Sequence, residues 1–321
     1  MQGSLWVSVN IGEVPRLFDV IGDVHGYYDH LETLLRKLGY REVRGTWVHS
    51  GRKAVFVGDL VDRGPEQIRV VNTVRRMVDA GTALCIMGNH EFNAVAWTIP
   101  DPTSDGEFLR PHGKGSNRAQ HQAFLDQVGE GSILHKEITD WFRTLPLWVD
   151  LQGIRVVHAC WHERSLDWLS RRMPDNTLTD NLYVEGSRRD REAFQAIEAV
   201  CKGLEVRLPH GVSFKDKQGH VRKEARIRWW EPELTTFKQA AIGPPELTDR
   251  IPDILLPPES RPSPYSGPPV FFGHYWFTGV PKILGNNAVC LDYSVANGGP
   301  LVAYRWEGES QLQSTQLVQS I

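Results

Sequence analysis

Residues 17–26, LFDVIGDVHG, set a short apolar segment directly before a turn that carries Asp23 and His25. Leu17 to Ile21 has the character of a buried strand, and leucines recur at helical spacing at positions 31, 34, 35 and 38. Two more strand-like segments follow, AVFV at 54–57 and ALCIM at 83–87, with an amphipathic helix predicted over 68–77 between them. Strands separated by helices of this length predict parallel β-α-β units with helices covering both faces of the sheet.

Polar residues follow each apolar segment at its carboxyl end. The second strand runs into GDLVDRG at 58–64, the third into GNHE at 88–91, and the later segments IRVV and VFF run into His158 and Gly273-His274. Ligands of open α/β sheets bind at this edge. Carboxylate, amide and imidazole ligands suit Mn, Fe or Zn without any thiolate. The sequence therefore predicts a metal site at the carboxyl edge of the strands.

Composition limits the other classes of function. The chain has 321 residues and a formal net charge of −3, which argues against a dedicated nucleic-acid-binding protein. No apolar run approaches the ~20 residues of a membrane span, and the first residues do not have the pattern of a signal peptide. The cysteines at 85, 160, 201 and 290 form no CxxC pair and are expected to be free thiols in a reducing cytoplasm.

The middle of the chain departs from the strand–helix pattern. Residues 92–134 are expected to be an insertion, turn-rich at first and helical over 118–128, and a polar helix is predicted over 188–203. A hairpin turning at 215–219 follows, and residues 244–269 contain nine prolines, which exclude regular structure through most of that span. We predict one discontinuous core, 15–184 and 268–310, with a cap-like insertion at 185–267 and a C-terminal tail at 311–321.

The stretch VVHACWH at 156–162 carries two histidines four residues apart, with a cysteine between them. Because a strand precedes it, His158 is expected at the sheet edge as a single ligand. His162 would then lie beyond the rim, and Cys160 would have no catalytic task. His112 and His121, in the insertion, are expected at the surface. Asp292 is interpreted either as a group behind the ligands or as an ordinary strand-end residue.

Taken together, GDVHG at 22–26, GDLVDRG at 58–64, GNHE at 88–91, the strand-end His158 and Gly273-His274 resemble the metallophosphoesterase superfamily. Within it, the chain is similar to the branch that contains PPP-type Ser/Thr protein phosphatases, symmetrical dinucleoside tetraphosphatases and bacterial polynucleotide phosphatases. The resemblance covers residues 15–160 and 268–306. It implies an α/β fold with a β-sandwich core and flanking helices, to which the cap-like insertion is added.

The resemblance also implies a role for each matching residue. Two divalent ions, Mn²⁺ first with Fe or Zn as alternatives, would be bound by Asp23, His25, Asp59, Asn89, His158 and His274. A hydroxide between the ions would attack phosphorus, His90 would protonate the leaving oxygen, and Asp62 would orient His90. Arg63 and Asn89 would contact the phosphoryl group. A second phosphate-binding arginine is sought in the hairpin at Arg228 or Arg226, which alternatively lie on a solvated face.

The predicted function is hydrolysis of phosphomonoesters, on a phosphoprotein or on a small phosphorylated metabolite or nucleotide. Hydrolysis of a dinucleoside polyphosphate is the alternative within the same chemistry. A metal-binding scaffold without catalysis is the alternative from another class. Tyr275, Trp276 and Phe277, directly after His274, are expected to pack in the interior, with stacking on a base or an aromatic leaving group as the other possibility.

Overall fold

The computed structural model describes residues 17–151, 153–215, 219, 221–231, 233–285 and 287–321. Its strands are β1 Phe18–Ile21, β2 Arg41–Val43, β3 Thr46–Val48, β4 Lys53–Phe56, β5 Ala83–Cys85, β6 Trp148–Leu151, β7 Ile154–Val157, β8 Glu205–Arg207, β9 Phe214–Lys215, β10 Val221–Arg222, β11 Glu224–Ile227, β12 Ala241–Ile242, β13 Val270–Phe272, β14 Ala288–Cys290, β15 Val302–Trp306 and β16 Leu317–Gln319. Its α-helices are α1 Tyr28–Lys37, α2 Gln67–Asp79, α3 Asn89–Thr98, α4 Gly115–Val128, α5 Ile133–Phe142, α6 Glu163–Ser170, α7 Asp180–Gly186, α8 Glu192–Lys202, α9 Phe237–Ala240 and α10 Pro245–Arg250.

Two sheets form the core. One has the strand order β16-β15-β1-β4-β5, in which β1, β4 and β5 are parallel, and the other has the order β14-β13-β7-β6. Apolar side chains of the two sheets join in one cluster, with Val20 and Val55 from the first and Val156 and Phe271 from the second. The predicted β-sandwich is confirmed.

The helices cover only one face of each sheet. Side chains alternate along a strand, so Ile21 and Phe56 point away from the second sheet and join a cluster with Leu31 and Leu34 of α1 and Val70 of α2. The prediction of parallel β-α-β units is correct for β1, β4 and β5. The prediction that helices cover both faces is wrong, because the other face of each sheet is taken by its partner sheet.

The insertion after β5 is more helical than its sequence indicates. Helix α3 begins at Asn89 and continues through Thr98, a stretch that includes the beginning of the segment expected to be turn-rich. Apolar residues Phe92, Val95 and Ala96 are buried and keep this part helical. The predicted helix over 118–128 is present as the longer α4, Gly115–Val128, which packs beside α2 and α5.

The segment 204–256, called here the cap segment, has an apolar cluster of its own. Its members come from β8, β11, α9, α10 and the residues between them: Val206, Leu208, Ala225, Ile227, Phe237, Ala240, Ala241, Leu247, Ile251 and Leu256. Helix α8 precedes this segment, and its Ala196, Ile197 and Val200 belong to the main cluster instead. The domain limits at 185 and 267 remain a prediction, and this packing favours narrower ones.

Two further observations concern the ends of the chain. Within the predicted tail, 311–321, β16 pairs with β15 and so extends the five-stranded sheet. Residues 1–16 are outside the described part, so the expectation about the first residues lies outside it as well. In the part that is described, no helix combines the length and apolarity needed to cross a membrane.

Candidate active site

The six predicted ligands all follow strands of the two sheets. Asp23 and His25 follow β1, Asp59 follows β4, Asn89 follows β5, His158 follows β7 and His274 follows β13. None of them is more than 7% exposed. Because parallel strands end at the same edge, side chains from distant parts of the sequence meet there.

Asp59 is the common member of the cluster. Its Oδ2 lies 3.8 Å from His25 Nε2, 3.3 Å from His158 Nε2 and 3.8 Å from His90 Nε2. Among the described residues, two groups have ligand atoms within 4.8 Å of one another and can each hold a metal ion: His25, Asp59 and His90, and Asp59, His158 and His274. The first group contains His90, which the resemblance assigns to proton transfer, and neither group includes Asp23.

Backbone carbonyls orient two of the imidazoles. His25 Nδ1 lies 2.9 Å from the Val61 carbonyl, and His158 Nδ1 lies 2.7 Å from the Val57 carbonyl. Each ring therefore donates from Nδ1 and turns Nε2 toward Asp59, as metal-binding histidines commonly do. His158 Nε2 also lies 3.2 Å from Asn89 Oδ1.

Several predicted ligand atoms are buried without a hydrogen-bond partner. They are Asp23 Oδ1, His25 Nε2, and both ring nitrogens of His274. A buried polar atom without a partner costs about 1–3 kcal/mol, so such atoms gathered at one site call for an explanation. Ligation of cations would provide a partner for Asp23 Oδ1, for His25 Nε2 and for one of the two His274 nitrogens, and the donor set fits this interpretation.

Asp23 is held by the backbone around β13. Its Oδ2 accepts a 3.0 Å hydrogen bond from the His274 amide. A Cβ added at Gly273 would lie only 1.8 Å from Asp23 Oδ1, so the carboxylate occupies the space that any other residue there would need. Burial raises the pKa of Asp23 well above its usual range, and the nearby Asp292 and Asp59 add to that increase.

The histidines of the cluster have pKa values shifted in opposite directions. Burial lowers the pKa of His25 to about 3. Burial also lowers the pKa of His274 well below its usual value, with help from the positive charge of Arg226. For His158 burial acts in the same direction, but the Asp59 carboxylate outweighs it and raises the pKa to about 10.

Glu91 supports the cluster from behind. It is fully buried, and its two carboxylate oxygens accept hydrogen bonds from the amides of Asp59, Leu60 and Gly88 at 2.8, 2.8 and 2.9 Å. The side chain thus fixes the turns after β4 and β5 together. No role is predicted for Glu91 from the sequence, although its place at the end of GNHE is a signal that could have indicated one.

Asp292 is buried near the predicted ligand Asp23. It is 2% exposed, and it accepts hydrogen bonds from the Trp276 amide at 2.7 Å and from the Ser294 amide at 2.9 Å. These bonds hold the turn that follows His274. The adjacent carboxylate at Asp23 is close enough for Asp292 to raise the pKa of that group.

Many of the site residues have a left-handed backbone. Six of the eleven non-glycine residues with positive φ in the described part belong to the site: His25, Asp59, Asp62, Arg63, His274 and Trp276. Each such conformation costs of the order of 1–3 kcal/mol and persists only where the surroundings impose it. The turns after β1, β4 and β13 therefore use strained backbone to aim their side chains.

Asp62 joins two imidazoles. Its Oδ2 is bonded to His90 Nδ1, and its Oδ1 lies 2.7 Å from Nδ1 of His121 on α4. His121 is 1% exposed, so the expectation that it lies at the surface is wrong. His112 is half-buried and stacks between Trp97 and Phe108, at ring distances of 3.9 and 4.2 Å.

Arg63 lies beside His90 and Trp276. Its Nη2 is 3.5 Å from His90 Nε2, and its guanidinium lies 3.6 Å from the centre of the Trp276 ring. The aromatic ring attracts the guanidinium without neutralising its charge. The ring also prevents the guanidinium from moving toward that side. Trp276 therefore contacts the candidate phosphate-binding arginine, whereas its neighbour Tyr275 packs against Trp230 in the interior.

The two hairpin arginines differ. Arg228 Nη1 donates to the Gln239 carbonyl at 3.2 Å, within the cap segment. Arg226 lies with its guanidinium 5.9 Å from the Tyr275 ring, and its charge lowers the pKa of His274. Of the two, the geometry brings Arg226 toward the cluster. The role predicted for Arg228 remains a prediction.

The VVHACWH stretch also contains His162 and Cys160, to which no ligand role was assigned. His162 Nδ1 lies 2.7 Å from Ser165 Oγ at the start of α6, away from the ligand groups identified above. Burial raises the pKa of the Cys160 thiol well above its usual value, which makes this residue a poor nucleophile.

Comparison with known proteins places this geometry in context. A family model described as calcineurin-like phosphoesterase matches residues 17–231. Among curated proteins, an asymmetrical bis(5'-nucleosyl)-tetraphosphatase PrpE of Oceanobacillus iheyensis is 37% identical over 142 residues, covering 44% of this chain and 54% of that protein. The protein of the same name from Bacillus subtilis is 45% identical over 182 residues, covering 54% and 72%.

A third relative matches over more of its length. The symmetrical bis(5'-nucleosyl)-tetraphosphatase of Vibrio cholerae is 24% identical over 301 residues, covering 90% of this chain and 94% of that protein. The alignment with the Oceanobacillus relative, by contrast, spans only about half of that protein.

Proposed function

The chain belongs to the calcineurin-like phosphoesterase family, and on that premise we propose that it hydrolyses phosphomonoesters with two divalent cations. The observation that carries the proposal is the group of buried, unpartnered ligand atoms around Asp59. Substrates of the proposed class are phosphoproteins and small phosphorylated metabolites or nucleotides.

We assign Asp23, His25 and Asp59 to one cation, and Asp59, Asn89, His158 and His274 to the other. When bound, the two ions supply Lewis acidity, which activates water and offsets the charge of the phosphoryl group. The mixture of oxygen and imidazole ligands favours Mn²⁺, with Fe or Zn as the other candidates. The two cations carry more positive charge than the two aspartate ligands carry negative charge, and the imidazole ligands are neutral. The site with both cations bound therefore remains electropositive and favours a phosphate dianion.

The remaining residues act on the substrate. Arg63, already held against Trp276, is assigned to two phosphoryl oxygens, which suit its forked donors. His90 is assigned to protonate the leaving oxygen from Nε2, because its Nδ1 is bonded to Asp62. Asn89 reaches the cluster through Oδ1 and would offer its amide N–H₂ to the phosphoryl group.

The decisive experiment is removal and return of the metal. Exhaustive treatment with EDTA should abolish hydrolysis of p-nitrophenyl phosphate, and Mn²⁺ should restore it. Activity that survives complete chelation would sink the proposal. As a matched variant, His90→Asn should still bind Mn²⁺ while losing activity on alkyl phosphates, whose leaving oxygen needs a proton. A wild-type protein that binds metal but is inactive on a broad phosphoester panel would instead favour a non-catalytic scaffold.

A paired substitution tests the second arginine. If Arg226 assists phosphate binding, Arg226→Ala should lower kcat/KM about tenfold, which corresponds to ~1.4 kcal/mol of transition-state stabilisation. Arg228→Ala removes a similar charge from the same hairpin and serves as its control. A larger loss of kcat/KM with Arg228→Ala would show that Arg228, as predicted from the sequence, and not Arg226, is the second phosphate-binding arginine.

Hydrolysis of dinucleoside polyphosphates is the second candidate function. Two observations favour it: the relatives named above are bis(5'-nucleosyl)-tetraphosphatases, and a cleft of about 900 Å³ opens beside Arg63. Residues that line the cleft include Tyr27, Arg63, Gln120, Ala123, Trp276 and Asn297. Its size is in the range of small-molecule sites, and its aromatic and amide groups suit a nucleoside. A hundredfold higher kcat/KM for diadenosine tetraphosphate than for phosphopeptides or nucleoside monophosphates would make this the principal function.

We also propose a cytoplasmic location. The four cysteines are free and buried, and none of them forms a disulfide. Proteins of oxidising compartments more often use their cysteines in disulfides. Fractionation of cells that produce the protein, with a cytoplasmic and a periplasmic marker, tests this assignment.

A further inference from the structure

His121 is a buried histidine that the mechanism above does not use. It lies on α4, in the insertion after β5, and its ring packs against Phe124 at 4.9 Å and Trp97 at 5.6 Å between ring centres. Its Nδ1 contacts Asp62 at a sequence separation of 59 residues. Each oxygen of the Asp62 carboxylate thus contacts one imidazole, His121 on one side and His90 on the other.

The chemistry of Asp62 fixes the direction of both hydrogen bonds. Burial would raise the pKa of this carboxyl, but its interactions with His121 and His90 outweigh burial and hold the pKa below the usual range. An ionised carboxylate can only accept, so His121 Nδ1–H and His90 Nδ1–H both donate to it. The Asp62 amide in turn donates to Gln67 Oε1 at 2.7 Å, which fixes the backbone of the same residue.

Without His121, Asp62 Oδ1 would lose this buried donor. A carboxylate bonded through one oxygen only can rotate about its terminal torsion, and His90 would move with it. A buried acceptor left unpaired costs about 1–3 kcal/mol, which is enough to favour such a rotation. The position of His90 Nε2 therefore depends on a helix of the insertion as well as on the strand-end turns.

We propose that His121 is a positioning residue for proton transfer, acting through Asp62 to aim His90 Nε2 at the leaving oxygen. The inference rests on the proposed function, in which His90 is the acid. In that step the oxygen of water forms a bond to phosphorus while the bond to the leaving oxygen breaks. The leaving oxygen keeps the electron pair and takes the proton from His90 Nε2. Solvent accepts the proton released by the attacking water and returns one to His90.

Leaving-group dependence separates positioning from packing. A p-nitrophenolate leaves as a stable anion and needs little protonation, whereas an alkoxide needs a proton as it leaves. General acid catalysis contributes about 10²–10⁴-fold. We expect His121→Leu to lower kcat about 100-fold on an alkyl phosphate and less than about fivefold on p-nitrophenyl phosphate, with KM changed little. His121→Asn keeps an N–H donor near the position of Nδ1 and should recover at least about tenfold on the alkyl substrate.

His112→Leu is the matched control. His112 lies in the same insertion, and its Nε2 bonds to the Trp97 carbonyl at 2.9 Å instead of to Asp62. Its replacement should lower thermal stability and leave the ratio of the two activities unchanged. If His121→Leu does not fold, His121→Gln takes its place as the variant without a donor at the Nδ1 position.

A double substitution provides a second readout. If His121 acts through Asp62, then adding His121→Leu to Asp62→Asn should change the activity ratio little beyond the effect of Asp62→Asn alone. Equal losses on both substrates, or additive effects in the double variant, would overturn the inference. Failure of the proposed function looks different: wild type would hydrolyse neither substrate, or His90→Asn would show no dependence on the leaving group.

Discussion

The carboxyl edge of the two sheets buries charged side chains against one another, whereas the cap segment, 204–256, buries apolar ones. Asp23, Asp59, Asp62 and Glu91 are each 2% exposed or less, and all lie at the edge. Among the residues that the structure describes in the cap segment, every one of the buried side chains is apolar. Buried charges are costly to stability unless they are paired with opposite charges or hydrogen-bonded.

The carboxyl edge is therefore built for chemistry, whereas the cap segment is built for stable packing. The edge gathers strained backbone, unpartnered nitrogens and facing carboxylates, none of which stabilises the fold by itself. The cap segment follows ordinary rules of burial. Substitutions at the edge should therefore change chemistry far more than stability, and substitutions in the cap segment should do the reverse.

The largest effect is expected from Asp59→Asn. Asp59 is shared by both candidate ligand groups, so its replacement should weaken binding of both cations and lower kcat/KM at least ~10³-fold, equivalent to ~4 kcal/mol of transition-state stabilisation. The variant should still fold, since Asn remains able to accept from the His90 amide, although loss of the ion pair with His158 should lower the thermal stability of the metal-free protein. Loss of folding in this variant would contradict the distinction drawn above.

The second effect concerns the pH dependence of metal binding. The pKa of His158 is raised to about 10, so below that pH the metal-free residue is protonated, and a cation must displace the proton. The apparent affinity for Mn²⁺ should increase about tenfold per pH unit, or ~100-fold between pH 7 and 9. Titration calorimetry in buffers of different ionisation enthalpy should detect release of the proton. Affinity independent of pH would refute the interpretation of His158.

Gly273→Ala should have the third effect. The new Cβ would lie 1.8 Å from Asp23 Oδ1 and would displace that carboxylate. The affinity for Mn²⁺ should therefore fall roughly 10–100-fold, as is typical when the groups that orient a metal ligand are altered. Gly51→Ala is the matched control, because a Cβ at Gly51 meets nothing within 4 Å. Equal affinity for Mn²⁺ in the two variants would show that metal binding does not depend on the position of Asp23.

The smallest effect on activity is expected in the cap segment. Phe237 is 5% exposed within its apolar cluster, and Phe237→Ala should cost about 3–5 kcal/mol of packing there. Hydrogen exchange should become faster over 204–256, while kcat/KM for p-nitrophenyl phosphate falls less than about tenfold. Phe214→Ala, whose ring is only half-buried in the same cluster, is the control. A loss of metal binding in Phe237→Ala would show that the carboxyl edge of the sheets depends on packing in the cap segment.

The meeting of the predicted ligand residues could be foreseen because each of them follows a strand within a few residues. Asp23, Asp59 and His158 stand next to apolar runs, and parallel strands must end at one edge, so local sequence determines a long-range meeting. The sandwich itself could not be derived from the alternation of strands and helices. The β-sandwich was predicted from the resemblance instead, because local periodicity does not indicate whether the face of a sheet packs against a helix or against a second sheet.

The contacts of His121 and Trp276 were not predictable in the same way. His121 reaches Asp62 from a helix whose rotation against the sheet depends on the packing of α4 on α2 and α5. Trp276 reaches Arg63 because the backbone after His274 turns with positive φ, which no residue type there signals. Both depend on tertiary packing, and a single sequence contains little information about it.

The left-handed turns have a consequence for any attempt to transplant this site. Grafting the side chains of Asp59, Asp62 and Arg63 onto an ordinary loop would leave them pointing elsewhere, since their directions come from φ values of 52°, 70° and 77°. The portable unit is a strand together with its strained turn and with Glu91, the carboxylate that fixes the turn's amides. A designer who copies only residue identities would obtain the right functional groups in the wrong geometry.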